Sequence, residues 1–333
     1  MKSLGGQEAD DEARVKAALC AFATTVGADP SYTVLAPPIL MPMHLAVDAV
    51  PLVVSSSNAD AGSFFMKSYA SDAMAFVNLA ATVAASEQAN RLGVGPQLLA
   101  YDEPSSALLY SLLAPKDWRM ATRKDMDSIS TLEAVLAVKR TWHGSALLPM
   151  SRSPFETIAH YCATIEQLAA STIDSESRLH KPAGFQTLLA WIGRIEQSFK
   201  ASGSDLGPIH GENALSNVML GQGDAIQLVD FDRATNADPH YDLAGFCLEF
   251  CSFYDQVEET VALYFGAPDS SVSARTALYM IVDDFLWGCW SLIEHYSSHR
   301  SNTIEFYKYA QNRFLRCRYW LNRWDIATLQ RRM

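Results

Sequence analysis

A change of hydrophobic period near residue 114 limits the possible folds of this chain more than any other feature. Before it, PLVVSSS and SFFMKSYA are short β-rich runs separated by the turn-like NADAG, and QLLAYD and SALLYSLLA form a second such pair. Between the two pairs, apolar residues from Ser71 to Leu92 recur at helical spacing and end at RLGVGP. This order predicts a small β-rich unit of two hairpins and one helix.

After Ala114 the pattern predicts helices. STLEAVLAVKRTWHGS, SPFETIAHYCATIEQLAAS and GFQTLLAWIGRIEQSF are amphipathic, and a serine near the start of the first two is suited to an N-cap. A compact loop and hairpin, IHGENALSNVMLGQGDAIQLVDFDRA, follows, and the last third is again helical. We therefore predict an α+β fold of two lobes. Residues 1–30 form a flexible N-terminus and first helix, 31–114 a β-rich N-lobe, and 115–333 a larger helical C-lobe.

The charge and the cysteines exclude several classes of protein. The net charge of −11 argues against nucleic acid as a general partner and is compatible with a small cationic substrate. No run approaches the roughly 20 uninterrupted apolar residues that span a bilayer, and the polar start MKSLGGQEADDEA predicts disorder rather than a signal peptide. The six cysteines form no C-x-x-C pair, and we predict that Cys247 and Cys251 are buried free thiols. We expect a cytoplasmic protein without integral membrane contact, and a homodimer stays open.

Polar residues between His210 and Asp232 have the spacing that phosphoryl transfer needs. Glu212 lies five residues before Asn217, and Asp230 follows thirteen residues later, at the end of the apolar run IQLV. The reaction needs an acceptor for the substrate hydroxyl proton and oxygen ligands for Mg²⁺ on the nucleotide phosphates. A hairpin that doubles back can bring Asn217 and Asp230 together beside Glu212.

The pattern H-G-E-x-x-x-x-N followed by L-V-D-F-D resembles the catalytic loop and metal-binding turn shared by aminoglycoside phosphotransferases, choline kinases and protein kinases. The resemblance implies a protein-kinase-like bilobal fold that uses ATP and Mg²⁺. It implies that Glu212 stands at the position of the catalytic Asp and that Asn217 and Asp230 are the Mg²⁺ ligands. Asp232 matches an acidic position of the small-molecule kinases, and Asp242, in YDLAGF, matches an acid that braces the catalytic loop.

Two further positions follow from the same resemblance. Lys67, at the end of SFFMK, stands where the family has its phosphate-contacting basic residue. Glu87 lies in the following helix, where the family has the acid that pairs with this lysine and orients it toward the α- and β-phosphates. His143, in TWHGS, resembles a structural position of the family.

The C-terminal stretch FLWGCWSLIEHYSSHRSNTIEFYKYAQNRF is similar to the corresponding part of choline/ethanolamine kinases, as is CLEFCSFY upstream. That similarity implies an aromatic cage of Trp287, Trp290 and Tyr309, with Glu249 and Tyr254 beside it. The two tryptophans share a helix face because they are three residues apart, and aromatic faces hold a trimethylammonium group by cation–π attraction. Glu249 and Tyr254 are five residues apart, so they share a site only if the helix ends between them.

Two departures from the family keep three hypotheses open. The catalytic acid is Glu212 rather than Asp, and the region expected to cover the nucleotide, APPILMPMHLAVDAVPLVV, has no glycine. We favour a kinase that phosphorylates a small amino alcohol, choline or ethanolamine. The alternatives are an aminoglycoside- or thiamine-type phosphotransferase and a catalytically impaired pseudokinase that binds an amine ligand. Aminoglycosides are polycations held by many carboxylates, so the aromatic set argues against them.

Overall fold

The computed structural model describes residues 4–35, 48–58, 62–171, 181–297 and 306–333. The glycine-free segment expected to cover the nucleotide lies mostly in residues 36–47, outside the described residues. Contacts divide the chain into two compact units. Unit 1 is built mainly from Met1–Asp125 and Ala214–Ala234, and unit 2 from Met126–Asn213, Thr235–Ser298 and Ile304–Met333. The sequence-based boundaries at 30/31 and 114/115 stay predictions.

Unit 1 contains an antiparallel sheet of five strands. These are β1 Ser31–Val34, β2 Ala49–Ser55, β3 Ser63–Tyr69, β4 Leu98–Asp102 and β5 Ala107–Ser111, in the order β1-β2-β3-β5-β4. The pairs β2–β3 and β4–β5 are the two predicted hairpins, which the structure confirms. Lys67 therefore lies on the central strand, opposite Leu108 of β5.

A helix packs on each face of this sheet, because successive side chains of a strand point to opposite faces. The helices of unit 1 are α1 Leu4–Ala21, α2 Ala23–Val26 and α3 Leu79–Arg91. Met66 and Leu109 pack with Val15 and Phe22 of the N-terminal helical segment, whereas Tyr69, Leu108 and Tyr110 pack with Val83 of α3. Lys67 shares the α3 side of β3 with Tyr69.

Two predictions at the helices of unit 1 need correction. Helix α1 begins at Leu4, so most of the polar start that was expected to be disordered is helical. The single helix expected from Ser71 to Leu92 is divided into a 3₁₀ turn, Ser71–Ala75, and α3. Asn78 causes the new start, since its side chain accepts a hydrogen bond from Ala81 N at 3.0 Å.

The second sheet of unit 1 contains the predicted compact hairpin. Strands β6 Trp118–Met120, β8 Val218–Gly221 and β9 Ile226–Leu228 pair antiparallel in the order β6-β8-β9. The turn between β8 and β9 includes Gly223 and Asp224 with φ of 64° and 61°. This hairpin ends at Leu228, two residues before Asp230.

The described part of unit 2 is mainly helical and contains one short strand pair, β7 Gly207–Ile209 with β10 Thr235–Ala237. Its helices are α4 Ile129–His143, α5 Pro154–Ser171, α6 Phe185–Ser202, α7 Pro239–Cys247, α8 Tyr254–Phe265, α9 Ser270–Ser297, α10 Phe306–Arg323 and α11 Ile326–Arg332. The predicted serine cap of α5 is present, whereas the cap of α4 is Ser128, two residues before Ser130, the serine with which the predicted segment begins. Ser128 accepts from Thr131 N, and Ser153 and Glu156 form reciprocal side chain–backbone bonds at the start of α5.

Helix α9 is the core of unit 2. It is long and apolar enough to cross a membrane by length and composition, but 94% of the relevant window is buried inside the protein. A buried core helix passes the same test, so this is weak evidence for a membrane span. The cysteines Cys247 and Cys251 are buried free thiols, as predicted.

Gly288 lets α10 approach α9 closely between the two tryptophans of the predicted cage. A Cβ atom at Gly288 would lie 2.6–2.9 Å from the ring of Phe314, which is itself fully buried. The ring therefore has no solvent-side space into which it could turn. A glycine is required here by packing rather than by backbone conformation.

We predict that Gly288→Ala lowers the free energy of unfolding by about 1–3 kcal/mol, since it overpacks a filled core. The matched control is Gly193→Ala in the interior of α6, where an added Cβ meets nothing within 4 Å. The control should raise stability by up to about 1 kcal/mol through helix propensity. Urea unfolding measures both, and equal effects of the two substitutions would contradict the packing argument.

Candidate functional site

Lys67 lies between two carboxylates of unit 1. Its Nζ donates to Asp230 Oδ1 at 2.6 Å and to Asp232 Oδ2 at 2.6 Å. Tyr69, two residues further along the same face of β3, donates its hydroxyl to Asp232 Oδ1 at 2.5 Å. The strand and the segment after β9 thus form one hydrogen-bonded cluster of four side chains, which we call the Lys67 cluster.

The hairpin β8–β9 brings the predicted metal ligands into one neighbourhood. Val229 N donates to the carbonyl of Asn217 at 2.9 Å, so the backbone of Asn217 lies beside the residue that precedes Asp230. Asp230 itself has φ 71°, a left-handed conformation that Asp tolerates better than most residues and that is common at functional sites. The sequence prediction that the hairpin doubles back here is confirmed.

The charges of the Lys67 cluster sum to one negative charge when both carboxyls are ionised. Burial lowers the pKa of Lys67, but the charges of Asp230 and Asp232 outweigh burial and the net pKa is raised, so the ammonium stays protonated. Burial, followed by the charge of Asp230, raises the pKa of Asp232 to about 7. Surplus negative charge beside the half-buried Asn217 is suited to a hard cation.

The predicted pairing of Lys67 with Glu87 is wrong. Glu87 is exposed, and its ion pair is with Arg91 of the same helix at 4.0 Å. The reason is helical phase. Helix α3 buries Val83 and Ser86 against the sheet, and the position after Ser86 is rotated by about 100°, toward solvent.

In unit 2, Asp242 braces the loop that contains Glu212. Its Oδ1 accepts from Gly211 N at 2.8 Å and Asn213 Nδ2 at 3.0 Å. Its Oδ2 accepts from Lys139 Nζ at 3.1 Å and His143 Nε2 at 3.0 Å. The residues on both sides of Glu212 are thus held by one fully buried carboxylate, which confirms the bracing predicted for Asp242.

Lys139 and Asn213 are members of this brace that the sequence analysis missed. Lys139 Nζ also donates to Asn213 Oδ1 at 2.7 Å, and its side chain is only 1% exposed. Gly245 of α7 provides the space for Asn213, because a Cβ there would lie 2.7 Å from Asn213 Nδ2. The available sequence signal was the i, i+4 spacing of Lys139 and His143, which puts both on one face of α4.

The protonation states of the brace follow from burial and partners. Burial alone would raise the pKa of Asp242, but Lys139 and His143 hold it well below the usual range of a carboxyl. Burial lowers the pKa of His143, so the imidazole is neutral at neutral pH. Asp242 and Lys139 therefore form the buried ion pair, and His143 contributes a hydrogen bond.

Trp287 and Trp290 lie together on α9. Their rings are 5.2 Å apart between centroids and nearly perpendicular, at 80°. Trp290 is buried and also meets the ring of Phe306 of α10 edge-on at 5.7 Å, whereas Trp287 is half-buried. The predicted sharing of one helix face is confirmed.

Tyr309 of α10 has a cation on its ring. Arg313 Nε donates to the Tyr309 hydroxyl at 2.8 Å, and the guanidinium carbon lies 5.1 Å from the ring centroid. Burial raises the pKa of Tyr309, Arg313 opposes the rise, and the negative charge of Glu249 adds to it. Glu249 is therefore within electrostatic reach of Tyr309.

Tyr254 lies in a different pocket. Helix α7 ends at Cys247 and α8 begins at Tyr254, so the helix does end between Glu249 and Tyr254. However, the ring of Tyr254 meets Trp324 at 6.0 Å and its hydroxyl accepts from Arg332 at 3.5 Å. These residues line a pocket of about 310 Å³ beside α11. Among the described contacts, none joins Tyr254 to the two tryptophans of α9, because the start of α8 faces the C-terminal helix.

Comparison with known families identifies the chain. Residues 51–275, more than half of the sequence, match the family model described as the phosphotransferase enzyme family, APH. The chain belongs to this family. It is a kinase-like phosphotransferase of the small-molecule type, with a β-sheet N-terminal region and a helical C-terminal region. A search of curated proteins finds no match.

Solved structures share the fold. A choline/ethanolamine kinase family protein from Mesorhizobium loti is 22% identical, with a TM-score of 0.75, and the match covers 97% of this chain and 98% of that one. The choline kinase LicA from Streptococcus pneumoniae is 17% identical, with a TM-score of 0.73, and the match covers 94% and 99%. The aminoglycoside phosphotransferase APH(3'')-Id from Streptomyces rimosus is 19% identical, with a TM-score of 0.51, and the match covers 82% and 98%. At these identities the likeness shows the fold alone.

We predict that Asp242→Asn lowers the free energy of unfolding by about 3–5 kcal/mol, because it leaves the buried ammonium of Lys139 without a counter-charge. The control is Glu12→Gln, which removes the partner of Lys16 in an exposed i, i+4 pair of α1. Loss of that exposed pair should hardly change the free energy of unfolding. Urea unfolding at neutral pH measures both variants, and a loss in Asp242→Asn no larger than the control would refute the buried ion pair.

Proposed function

We propose that this protein transfers the γ-phosphate of ATP to the hydroxyl group of choline or ethanolamine. The observation that carries the choice of acceptor is the aromatic group of α9 and α10. Trp287 and Trp290 form a perpendicular pair, and the charge of Glu249 reaches Tyr309. Ring faces with a carboxylate beside them, as proposed for the tryptophans, Tyr309 and Glu249, would suit a single organic cation, and each ring is worth on the order of 0.5–2 kcal/mol. A cytoplasmic location belongs to the same proposal.

The Lys67 cluster is the proposed nucleotide side. Lys67 would contact the phosphates of ATP, with Asp232 beside it, and Asn217 and Asp230 would hold Mg²⁺. The residues fit the ion, because both are oxygen donors and the Asp230 side chain is 34% exposed within a cluster of surplus negative charge. When bound, Mg²⁺ neutralises charge on the phosphates. The structures of LicA with AMP and of an aminoglycoside 2'-phosphotransferase with GDP, which share this fold, support the proposal of a nucleotide site.

Glu212 is the proposed acceptor of the hydroxyl proton. The substrate oxygen forms a bond to the γ-phosphorus as the bond from that phosphorus to the bridging oxygen of ADP breaks, and the proton passes to the Glu212 carboxylate. Such a base must come within about 2.6–3.2 Å of the hydroxyl oxygen. Asp242 holds Gly211 and Asn213 on either side of Glu212. Because the loop is held on both sides of Glu212, we favour the interpretation that its backbone has adjusted to Glu, which is longer than the Asp of the family.

The acceptor proposal predicts that Trp287→Ala raises the KM for choline about tenfold and leaves the KM for ATP unchanged, since a lost ring contact is worth about 1.4 kcal/mol. Trp191→Ala is the matched control. Trp191 is also half-buried in unit 2, but lies on α6 with its ring against Arg194. The assay is ATP turnover with Mg²⁺ against choline, ethanolamine, thiamine and kanamycin. Turnover only with thiamine or kanamycin would replace the proposed acceptor, and none with any acceptor would favour the pseudokinase alternative.

The mechanism predicts that Glu212→Gln lowers kcat by at least about 100-fold and leaves the affinity for ATP nearly unchanged, because it removes the proton acceptor and keeps the side-chain shape. Glu212→Asp should also lower kcat, since a shift of about 1 Å costs about 100-fold in a loop fitted to Glu. Stopped assays at saturating ATP and choline give kcat for each variant. A Glu212→Gln enzyme with wild-type kcat would remove Glu212 from the mechanism.

A further inference from the structure

The Lys67 cluster contains an unassigned side chain, Tyr69. We propose that Tyr69 and Asp232 together fix the position of Lys67, the task that the sequence pattern assigns to Glu87. Tyr69 is then a positioning residue for the contact between Lys67 and the nucleotide phosphates. This inference rests on the proposed function for its consequence in nucleotide binding.

The Asp232 carboxylate bridges two donors of β3. Oδ1 accepts from the Tyr69 hydroxyl at 2.5 Å and Oδ2 accepts from Lys67 Nζ at 2.6 Å. Because both oxygens are engaged, the plane of the carboxylate is fixed relative to the strand. Lys67 and Tyr69 are two residues apart on the same face, so their spacing matches the two oxygens.

Tyr69 also meets Lys67 directly. The Lys67 Nζ lies 5.3 Å from the centroid of the Tyr69 ring, a cation–π distance. Tyr69 is fully buried within the apolar cluster between the sheet and α3. Its position is therefore set by packing, and it holds Lys67 both through the ring and through Asp232.

The two carboxylate partners of Lys67 differ in exposure. The side chain of Asp232 is 6% exposed, whereas that of Asp230 is 34% exposed. Asp230 can therefore turn toward another ligand while Asp232 stays in place. If Asp230 engages Mg²⁺, Lys67 keeps one fixed carboxylate, and its ammonium stays aimed at the same point.

Glu87 is not needed for this arrangement. It is exposed and paired with Arg91, while every member of the Lys67 cluster belongs to β3 or to the segment after β9. The orientation of Lys67 thus does not depend on an acidic side chain of α3. In kinases that use a helix acid, displacement of the helix breaks the pair, and here that means of control would be absent.

The test compares Tyr69→Phe with Tyr110→Phe. Tyr110 lies on the neighbouring strand, is also buried, and donates to or accepts from Ser86 Oγ at 3.0 Å, so the control removes a buried hydroxyl of equal size from the same sheet. Calorimetry gives the Kd for ATP without Mg²⁺. Nitrogen-15 NMR of lysine side chains reports whether the Lys67 ammonium is protected from hydrogen exchange, a readout that does not require kinase activity.

We expect Tyr69→Phe to raise the Kd for ATP about tenfold and to abolish the slow exchange of the Lys67 ammonium, with Tyr110→Phe and Glu87→Gln at wild-type values. Asp232→Asn should reproduce the loss of protection, which keeps the test valid if Tyr69→Phe folds poorly. Protection of Lys67 that persists in Tyr69→Phe, or that is lost in Glu87→Gln, would overturn the inference. Absence of ATP binding by the wild type would instead overturn the proposed function, and the NMR comparison would still decide the role of Tyr69.

Discussion

A single buried carboxylate, that of Asp242, organises the loop on which the proposed chemistry depends. A charged group in the interior is costly unless partners surround it, and Asp242 has four donors from α4 and from the loop 211–213. Lys139 supplies the counter-charge, and the pKa of Asp242 stays low as a result. Because these donors come from elements far apart in sequence, the carboxylate is satisfied only when α4, α7 and the loop have all reached their places.

The Lys67 cluster of unit 1 has a different balance of charges. There two carboxyls share one ammonium, and burial together with the charge of Asp230 raises the pKa of Asp232 to about 7, whereas the partners of Asp242 lower its pKa. Both oxygens of Asp242 therefore have all the donors they need, whereas the two acids around Lys67 share a single positive charge. The contrast separates a structural acid from acids that can accept a further cation, and it agrees with the partial exposure of Asp230.

The sequence predicted local structure well and long-range partners poorly. Hairpins, the capped start of α5 and the doubling back at Asn217 depend on short patterns of period 2, period 3.6 and turn residues, and the structure confirms them. The predicted pairing of Glu87 with Lys67 was wrong because a shift of one residue on a helix rotates a side chain by about 100°. The prediction for Tyr254 did not include its contacts with Trp324 and with Arg332 of α11, because these residues lie 70 and 78 positions further along the chain. Tyr69 was missed because an aromatic residue on a strand is usually interpreted as a core residue. Tyr69 does belong to the core, in addition to its contact with Asp232.

The charges around Tyr309 bear on the proposal of a cationic acceptor. Among the described residues, the ionisable groups that ion pairs or electrostatics connect to this region include Asp283, Asp284, Glu249, Arg313 and Arg316. Within this set, three acids against two guanidinium groups leave one negative charge. Burial raises the pKa of Asp283 to about 6, so this surplus is present at neutral pH and is lost as the pH falls through 6. Since Arg313 already lies over Tyr309, an ammonium ligand would meet repulsion there unless that surplus charge were present. In the proposed acceptor site, the acids around Arg313 would therefore be as necessary for binding a cation as the rings.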